Sequence, residues 1–485
     1  MLLRFQRNQA LFAGKRPDLL PTTTIAVSRR RGSVKSDGKS RRSAVARVGI
    51  ATAAAALLLF VVLIVLPTLP PWRLRPRHGS VDCQQGRVVV SLATVAQRLG
   101  PGGSFPIALR ALLRQTAGEC ASIWVFIPEQ DRPAAQVALP ALDAAARRAG
   151  RPVHLHFVPD RMSANKFLWA LEALAHPDPG EELAAAAAVA SNAARPHSRF
   201  LPDGTSWRPT AESTLVLGIP RGRPQPSSQQ LQAEVAGLRA APGGGPLLLV
   251  CDDDFVHHPR LLETLLAGRQ ALLGSGQAQQ LEWRGHGARR GAGSSSDTQS
   301  GSSGGGGEAA VGTRGYRVRP DFTWGVLPDE FDLHVTEGWR IAGPYRTGVA
   351  TSGKGILVHP RATLGAFNLS DFGGAPGGAH FVDDIWLNGH LALAGVPRWV
   401  VPLPGEPADM QVNGDSPLDR RLARQQLSRW RANSEAIQFF RAAWEPALLY
   451  QMGGAGGPRL RPALARALLR ARSAWTLLLV RAGLL

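Results

Sequence analysis

Residues 247–255 read Leu247, Leu248, Leu249, Val250, Cys251, Asp252, Asp253, Asp254 and Phe255: five apolar side chains run straight into three carboxylates. A short, continuous apolar run of this kind suits a strand buried on both faces, as in parallel sheets covered by helices. Working outward, the same unit recurs. A β-branched run at 87–92 is followed by a helical stretch over 105–115. A second apolar run, 122–127, precedes an Ala-rich helix over 133–149, and a third, 153–158, precedes a helical pattern over 164–174. After the acids a helix is expected over 259–267. Near the far end, Ile385, Trp386, Leu391 and Leu393 have helical spacing closed by Gly395, with a strand at 398–401. Strands alternating with helices predict an α/β fold with a mostly parallel sheet flanked by helices. In such sheets ligands bind outside the carboxyl ends of the strands.

Two stretches break the alternation. Residues 177–245, with an Ala run and several Pro, and 285–312, dominated by Ser and Gly, carry too few periodic apolar residues to offset the entropy of ordering. Both are expected to be unstructured inserts within a catalytic domain spanning 87–404. The Pro/Gly-containing stretch 402–417 reads as a further linker, and 405–485 as a C-terminal extension whose Arg/Ala/Leu-rich part, from Leu418, is helical.

The chain has 485 residues, 44% of them apolar, which excludes wholesale disorder. Its net charge is +20, from 56 Lys and Arg against 36 Asp and Glu. Half of that excess, 12 − 2 = +10, lies in residues 1–47. The rest is spread thinly, which argues against nucleic acid as a partner. Residues 48–66 are nineteen uncharged positions, roughly 28 Å of helix, enough for the hydrocarbon core of a bilayer. With Arg29, Arg30, Arg31, Arg41 and Arg42 before the run and Pro67, Pro70, Pro71 and Trp72 after it, the basic tail 1–47 stays cytosolic and 67–86 forms a lumenal stem. A type II signal anchor results. The alternative is a plastid transit peptide, which does not need so long an uncharged run. Asn368, Leu369 and Ser370 form a sequon compatible with a lumenal compartment. Three cysteines make no disulfide scaffold and no CxxC zinc pair; Cys83 and Cys120 could pair in an oxidising lumen, and Cys251 reads as a buried thiol.

The polar residues after each expected strand should share one edge: Thr94 and Arg98, then Asp160 and Lys166, then Asp252, Asp253 and Asp254. In extended backbone Asp252 and Asp254 project to one side and Asp253 to the other. Three adjacent acids repel, and a divalent cation resolves the cost; hard oxygens without a Cys/His set favour Mn²⁺ or Mg²⁺. An Asp-rich turn or N-cap is the simpler alternative. Lys166 and Arg98 suit a diphosphate, or are ordinary surface charges. Asp160 caps the helix that begins near Ala164 or accepts hydrogen bonds from a nucleotide. Asp383 and Asp384 open the late helix after a glycine-rich stretch; capping accounts for one of them, and a general base on an acceptor hydroxyl accounts for the pair.

Taken together, the segments at 88–98, 160–166, 250–255, 353–360 and 382–402 resemble the nucleotide-sugar-dependent glycosyltransferases of the GT-A fold. They are closest to family-2-like enzymes with an SLTT-type strand end, a D-x-x-x-A-x-K motif, a DDD metal site and a late DD-I-W helix. The resemblance implies that Thr94, Arg98, Asp160 and Lys166, with Asp253, hold the nucleotide-sugar. It implies further that Asp252 and Asp254 engage the ribose and a metal-bound diphosphate, and that Asp384, ahead of Asp383, is the acceptor-side acid. The implied protein is a Golgi-type membrane enzyme acting on a glycan, protein or lipid acceptor. Ala93 departs from the pattern, where Thr is common. A metal-dependent nucleotidyl- or phosphotransferase would also use the triplet, and an inactive binding protein could keep the fold. The Walker pattern of P-loop kinases is absent from the sequence.

Overall fold

The computed structural model describes residues 87–100, 102–175, 207–240, 245–274, 308–324, 335–341, 343–363, 375–405, 407–410 and 417–444, all within one compact unit, Leu59–Leu485. The basic tail, the span 48–66, the stem with Cys83, and the sequon lie outside the described residues. Among the described residues no helix is long and apolar enough to cross a membrane. Cys120 is disulfide-bonded and Cys251 is a free, buried thiol.

The chain opens with β1 (Val88–Ala93), α1 (Ala96–Leu99) and α2 (Phe105–Leu113). Next come β2 (Ala121–Pro128) with α3 (Arg132–Ala149), and β3 (Val153–Val158) with α4 (Asn165–Ala175). β4 (Thr214–Leu217) and α5 (Ser228–Arg239) precede β5 (Leu247–Val250), β6 (Phe255–Val256) and α6 (Leu261–Gly274). Six short strands follow: β7 (Ala310–Gly312), β8 (Arg314–Tyr316), β9 (Val335–Glu337), β10 (Tyr345–Arg346), β11 (Val349–Ala350) and β12 (Ile356–Val358). Last are α7 (Asp383–Leu393), β13 (Arg398–Val400), β14 (Ala408–Asp409), α8 (Pro417–Arg424) and α9 (Arg429–Phe439).

Nine strands form one mixed sheet in the order β10-β13-β7-β12-β5-β1-β2-β3-β4. Its central block, β5-β1-β2-β3, is parallel, as the alternating pattern predicts. β13 is parallel to β7, whereas β4, β12 and β10 run antiparallel to their neighbours. The period-two pleat sorts the apolar residues into two cores. Val89, Trp124, Phe126, Leu248 and Val250 face one layer with α4, α7 and α9. Val88, Val90, Leu92, Val125, Ile127, Leu247 and Leu249 face the other with α2, α3 and α6. Both faces being covered, the polar strand ends are where a ligand can reach the sheet.

Three expectations are corrected. Within 177–245, β4 extends the sheet beside β3, and α5 starts with a capping box between Ser227 and Gln230 and buries Leu231, Val235 and Leu238. That spacing is a genuine helical stripe, diluted by the Pro and Gly around it. The end of 285–312 forms β7, an interior strand of three residues, too short for periodicity to reveal. β14, inside 402–417, pairs with β6.

The C-terminal helices are part of the fold rather than an appendage. Leu422, Ala432, Ala436, Ile437, Phe440 and Trp444 are buried in the core that also holds α4 and α7. The Phe440 ring lies 5.2 Å from both the Trp386 and the His390 rings of α7. Gly389 makes that approach possible, because a Cβ there would run into the Phe440 ring. Gly389→Ala should therefore lower stability by about 1–3 kcal/mol, read as a lower urea midpoint of the purified chain; an unchanged midpoint would mean that α9 does not pack on α7 in this way.

Candidate functional site

A cavity of about 510 Å³ opens where β1, β3, β5 and α7 present their polar ends. Thr94 follows β1, and α1 carries Arg98; Asp160 follows β3, and Lys166 sits in the first turn of α4; Asp252, Asp253 and Asp254 follow β5; Asp383 opens α7. All eight line this one cavity. Residues up to 383 − 94 = 289 positions apart in sequence are thus brought together by the strand order. Asp384, the ninth nominated residue, is not among the lining residues.

Lys166 is the hinge of the arrangement. Its buried ammonium pairs with Asp252 Oδ1 and with Asp383 Oδ2, joining the β5 end to the start of α7. The Ser91 hydroxyl donates to the Lys166 carbonyl and fixes the start of α4 against β1. Arg98 pairs with Asp253 and, at 3.2 Å, with Asp254. The strict alternation expected of the triplet is not observed. β5 ends at Val250 and the acids lie in a turn, so Asp253 and Asp254 share one guanidinium. The turn is held from behind: Met410 N–H donates to the Asp254 carbonyl at 2.8 Å. His257, buried and neutral with its pKa pushed down to about 4 by burial, places Nε2 3.2 Å from the Asp252 carbonyl, to which it donates.

Asp160 serves the entry to α4, the first of its two readings, and also lines the cavity. Its Oδ1 accepts from Met162 N–H at 2.8 Å and Asn165 Nδ2 at 3.0 Å, organising the entry to α4. Its Oδ2 meets Gln130 Nε2 at 3.3 Å and an Arg421 nitrogen at 3.4 Å.

The two acids of α7 are placed differently: Asp383 lines the cavity, and Asp384, preferred from the sequence, does not. Asp384 Oδ1 accepts the Ser352 backbone N–H at 2.7 Å and also the Ser352 hydroxyl. One turn on, Asn388 donates to the Asp384 carbonyl at 2.7 Å and exchanges two hydrogen bonds with Ala350. Asp384 therefore clamps α7 to the loop after β11, and Asp383 faces the cavity. Adjacent helical residues point about 100° apart, so a pair of acids at a helix start cannot both serve one cavity equally. In the same loop, Lys354 is buried against Glu337 at 3.3 Å and is not a cavity residue.

Burial dominates the electrostatics. It pushes Asp254 up to about 7, reinforced by Asp252 against the pull of Arg98. It pushes Asp383 up to about 6, with Lys166 opposing and Asp384 adding. Asp253 is also raised by burial despite Arg98. For Asp252 burial is outweighed, chiefly by Lys166, and the carboxyl lies below its ordinary range. Lys166 loses solvation through burial, yet Asp252 and Asp383 hold its proton more tightly than usual.

Among the described residues no group of three or more His, Cys, Asp or Glu is arranged to hold a metal ion. The chemistry of the donor set nonetheless suits a hard divalent cation that brings its remaining oxygen ligands with it. Asp252 and Asp254 offer carboxylate oxygens at the cavity, and Asp254, raised first by burial and then by the neighbouring Asp252, carries a repulsion that a cation would relieve. Gly353 keeps the approach to Asp252 clear, since a Cβ there would stand 3.0 Å from Oδ2.

Sequence reasoning missed Arg421, Arg424 and Arg429, which α8 and α9 bring to the cavity, as well as Ser352. The signal for the first two is their separation by three residues in a short basic helix, which places them on one face. The chain matches no protein-family model and no curated protein.

A carboxyl whose folded pKa is raised favours folding fully below its unfolded pKa, and that contribution is lost as pH rises through the folded value. For Asp254 the window runs from about 4 to about 7. In chelator, Asp254→Asn should therefore gain stability over the parent at pH 8, on the order of 2 kcal/mol, and lose the gain by pH 4.5. Denaturant midpoints at the two pH values check this; a gain that is equal at both would remove Asp254 as the cause.

Proposed function

We propose that the chain is a nucleotide-sugar-dependent glycosyltransferase of GT-A-like fold, moving a sugar from a nucleoside diphosphate to an acceptor hydroxyl of a glycan, protein or lipid. The observation that carries this reading is the Lys166 bridge: one buried cation joins a strand-end acid suited to the donor, Asp252, to a helix-start acid suited to the acceptor, Asp383. Asp252 and Asp254 are the residues that would hold Mn²⁺ or Mg²⁺, and the ion supplies charge to stabilise the diphosphate leaving group.

The chain's own residues do the rest. Arg98 and Lys166 sit beside the acids, so the diphosphate finds donors as well as carboxylates. The cavity-lining Asp160 and the Thr94 end of β1 are the places for the nucleoside. Asp383 accepts the proton of the attacking hydroxyl as its oxygen bonds to the anomeric carbon and the bond to the diphosphate breaks. A carboxyl raised to about 6 is ionised at neutral pH yet basic enough for that transfer. In a retaining enzyme the same acid would position the acceptor instead. The charge pattern before residues 48–66 supports a type II anchor with the catalytic part in the Golgi lumen.

The test is a panel of nucleotide sugars and simple acceptors with Mn²⁺, reading nucleoside diphosphate. Release is expected, falling ~100-fold or more in Asp254→Asn and in Asp383→Asn, and rising with pH through about 6 in the parent. Release of pyrophosphate with nucleotide transfer would establish the nucleotidyltransferase instead. Nucleotide binding without turnover across the panel would establish a binding protein.

A further inference from the structure

The cavity is lined by five acids and five bases, and the bases come from two separate parts of the chain. Arg98 and Lys166, from the sheet domain, are engaged by Asp252, Asp253, Asp254 and Asp383. Arg421 and Arg424 arrive on α8, which is seated by Leu422, 1% exposed, in the core. Neither is committed to the acid triplet. Arg421 reaches Asp160 at 3.4 Å, long for a charge-assisted bond, and otherwise rests on the Met162 sulfur at 2.7 Å. Arg424 is exposed at the cavity and forms no ion pair with a described residue.

We infer that α8 is a direct oxyanion-binding element of the site: Arg421 and Arg424 grip the diphosphate of the nucleotide without a metal between them. Two arginines three residues apart present their guanidinium groups side by side, a spacing matched to adjacent phosphoryl groups. An uncharged ligand would leave Arg421 with only its long contact to Asp160 and would not engage Arg424, whereas a diphosphate meets both with non-bridging oxygens and still offers oxygens to the acid triplet through a cation. The consequence is that nucleoside diphosphate binds in the absence of metal, more weakly, and that α8 sets this residual affinity. The diphosphate assignment rests on the donor reading above; the oxyanion-binding role of α8 does not.

The experiment is calorimetric titration of the full chain with UDP, GDP, uridine and inorganic pyrophosphate, in EDTA and then with Mn²⁺. The parent should bind one of the nucleoside diphosphates, and pyrophosphate, in EDTA. Arg424→Gln and Arg421→Gln should each weaken both by ~10-fold in either condition, leave uridine unchanged, and keep the parent's thermal midpoint. Arg424→Lys should recover part of the loss. Diphosphate affinities that ignore both substitutions overturn the inference, as does a parent that binds no diphosphate in EDTA. Pyrophosphate binding that follows the arginines, with no turnover of any nucleotide sugar, keeps the α8 element and removes the transferase. Turnover by the parent with arginine-insensitive diphosphate binding does the reverse.

Discussion

The ammonium of Lys166, held between Asp252 and Asp383, is the interaction on which the site depends. Lys166 and Asp383 are buried and Asp252 is half-buried, and neither buried group would stay charged there alone, because desolvating an isolated ion costs several kcal/mol against a domain's marginal net stability. Together they are mutually compensating, and removing the lysine would leave two acids facing each other across a gap. The bridge also has a mechanical role: it fixes α7 relative to the end of β5. Its own position is inherited from α4, which begins against β1 through Ser91 and buries Phe167, Trp169 and Leu171 in the core.

Around this bridge the fold separates apolar from ionic chemistry along the strand axis. The strands of the parallel block are buried along most of their length, and β1, β3 and β5 lead into charged residues at their carboxyl ends, so that with the start of α7 four chain segments deliver charge to one place without disturbing either core. Hydrogen bonds to backbone then aim the side chains. Ser352 and Asn388 hold Asp384 and the helix behind it, His257 steadies the Asp252 carbonyl, and Met410 steadies that of Asp254. Two of these supports are local and two, Ser352 to Asp384 and Met410 to Asp254, join distant segments; together they account for a cavity wall rich in charge yet well defined.

The C-terminal helices give the site its second source of positive charge. Packing of Phe440 on Trp386 and His390 places α9, and Leu422 seats α8, so that apolar contacts on one side of these helices determine where their arginines point on the other. Binding chemistry here is a consequence of packing some distance away.

Composition and periodicity already specified the parallel block, α2, α3, α4 and α7, because long amphipathic or β-branched runs carry their own signal. They also located eight residues of the cavity, since an apolar run that turns abruptly polar marks a strand end whatever the rest of the chain does. Beyond reach were the short strands from β7 to β12 and β14, which owe their existence to neighbours rather than to their own pattern, and α5, whose stripe is masked by its flanks; β13 alone in that half was expected, at 398–401. Which of Asp383 and Asp384 faces the cavity depends on the rotation of α7 about its axis. Whether Arg421 and Arg424 belong to the site depends on where α8 lies. Helix rotation and helix placement are decided by long-range packing, and a local pattern holds no record of the partner it will meet.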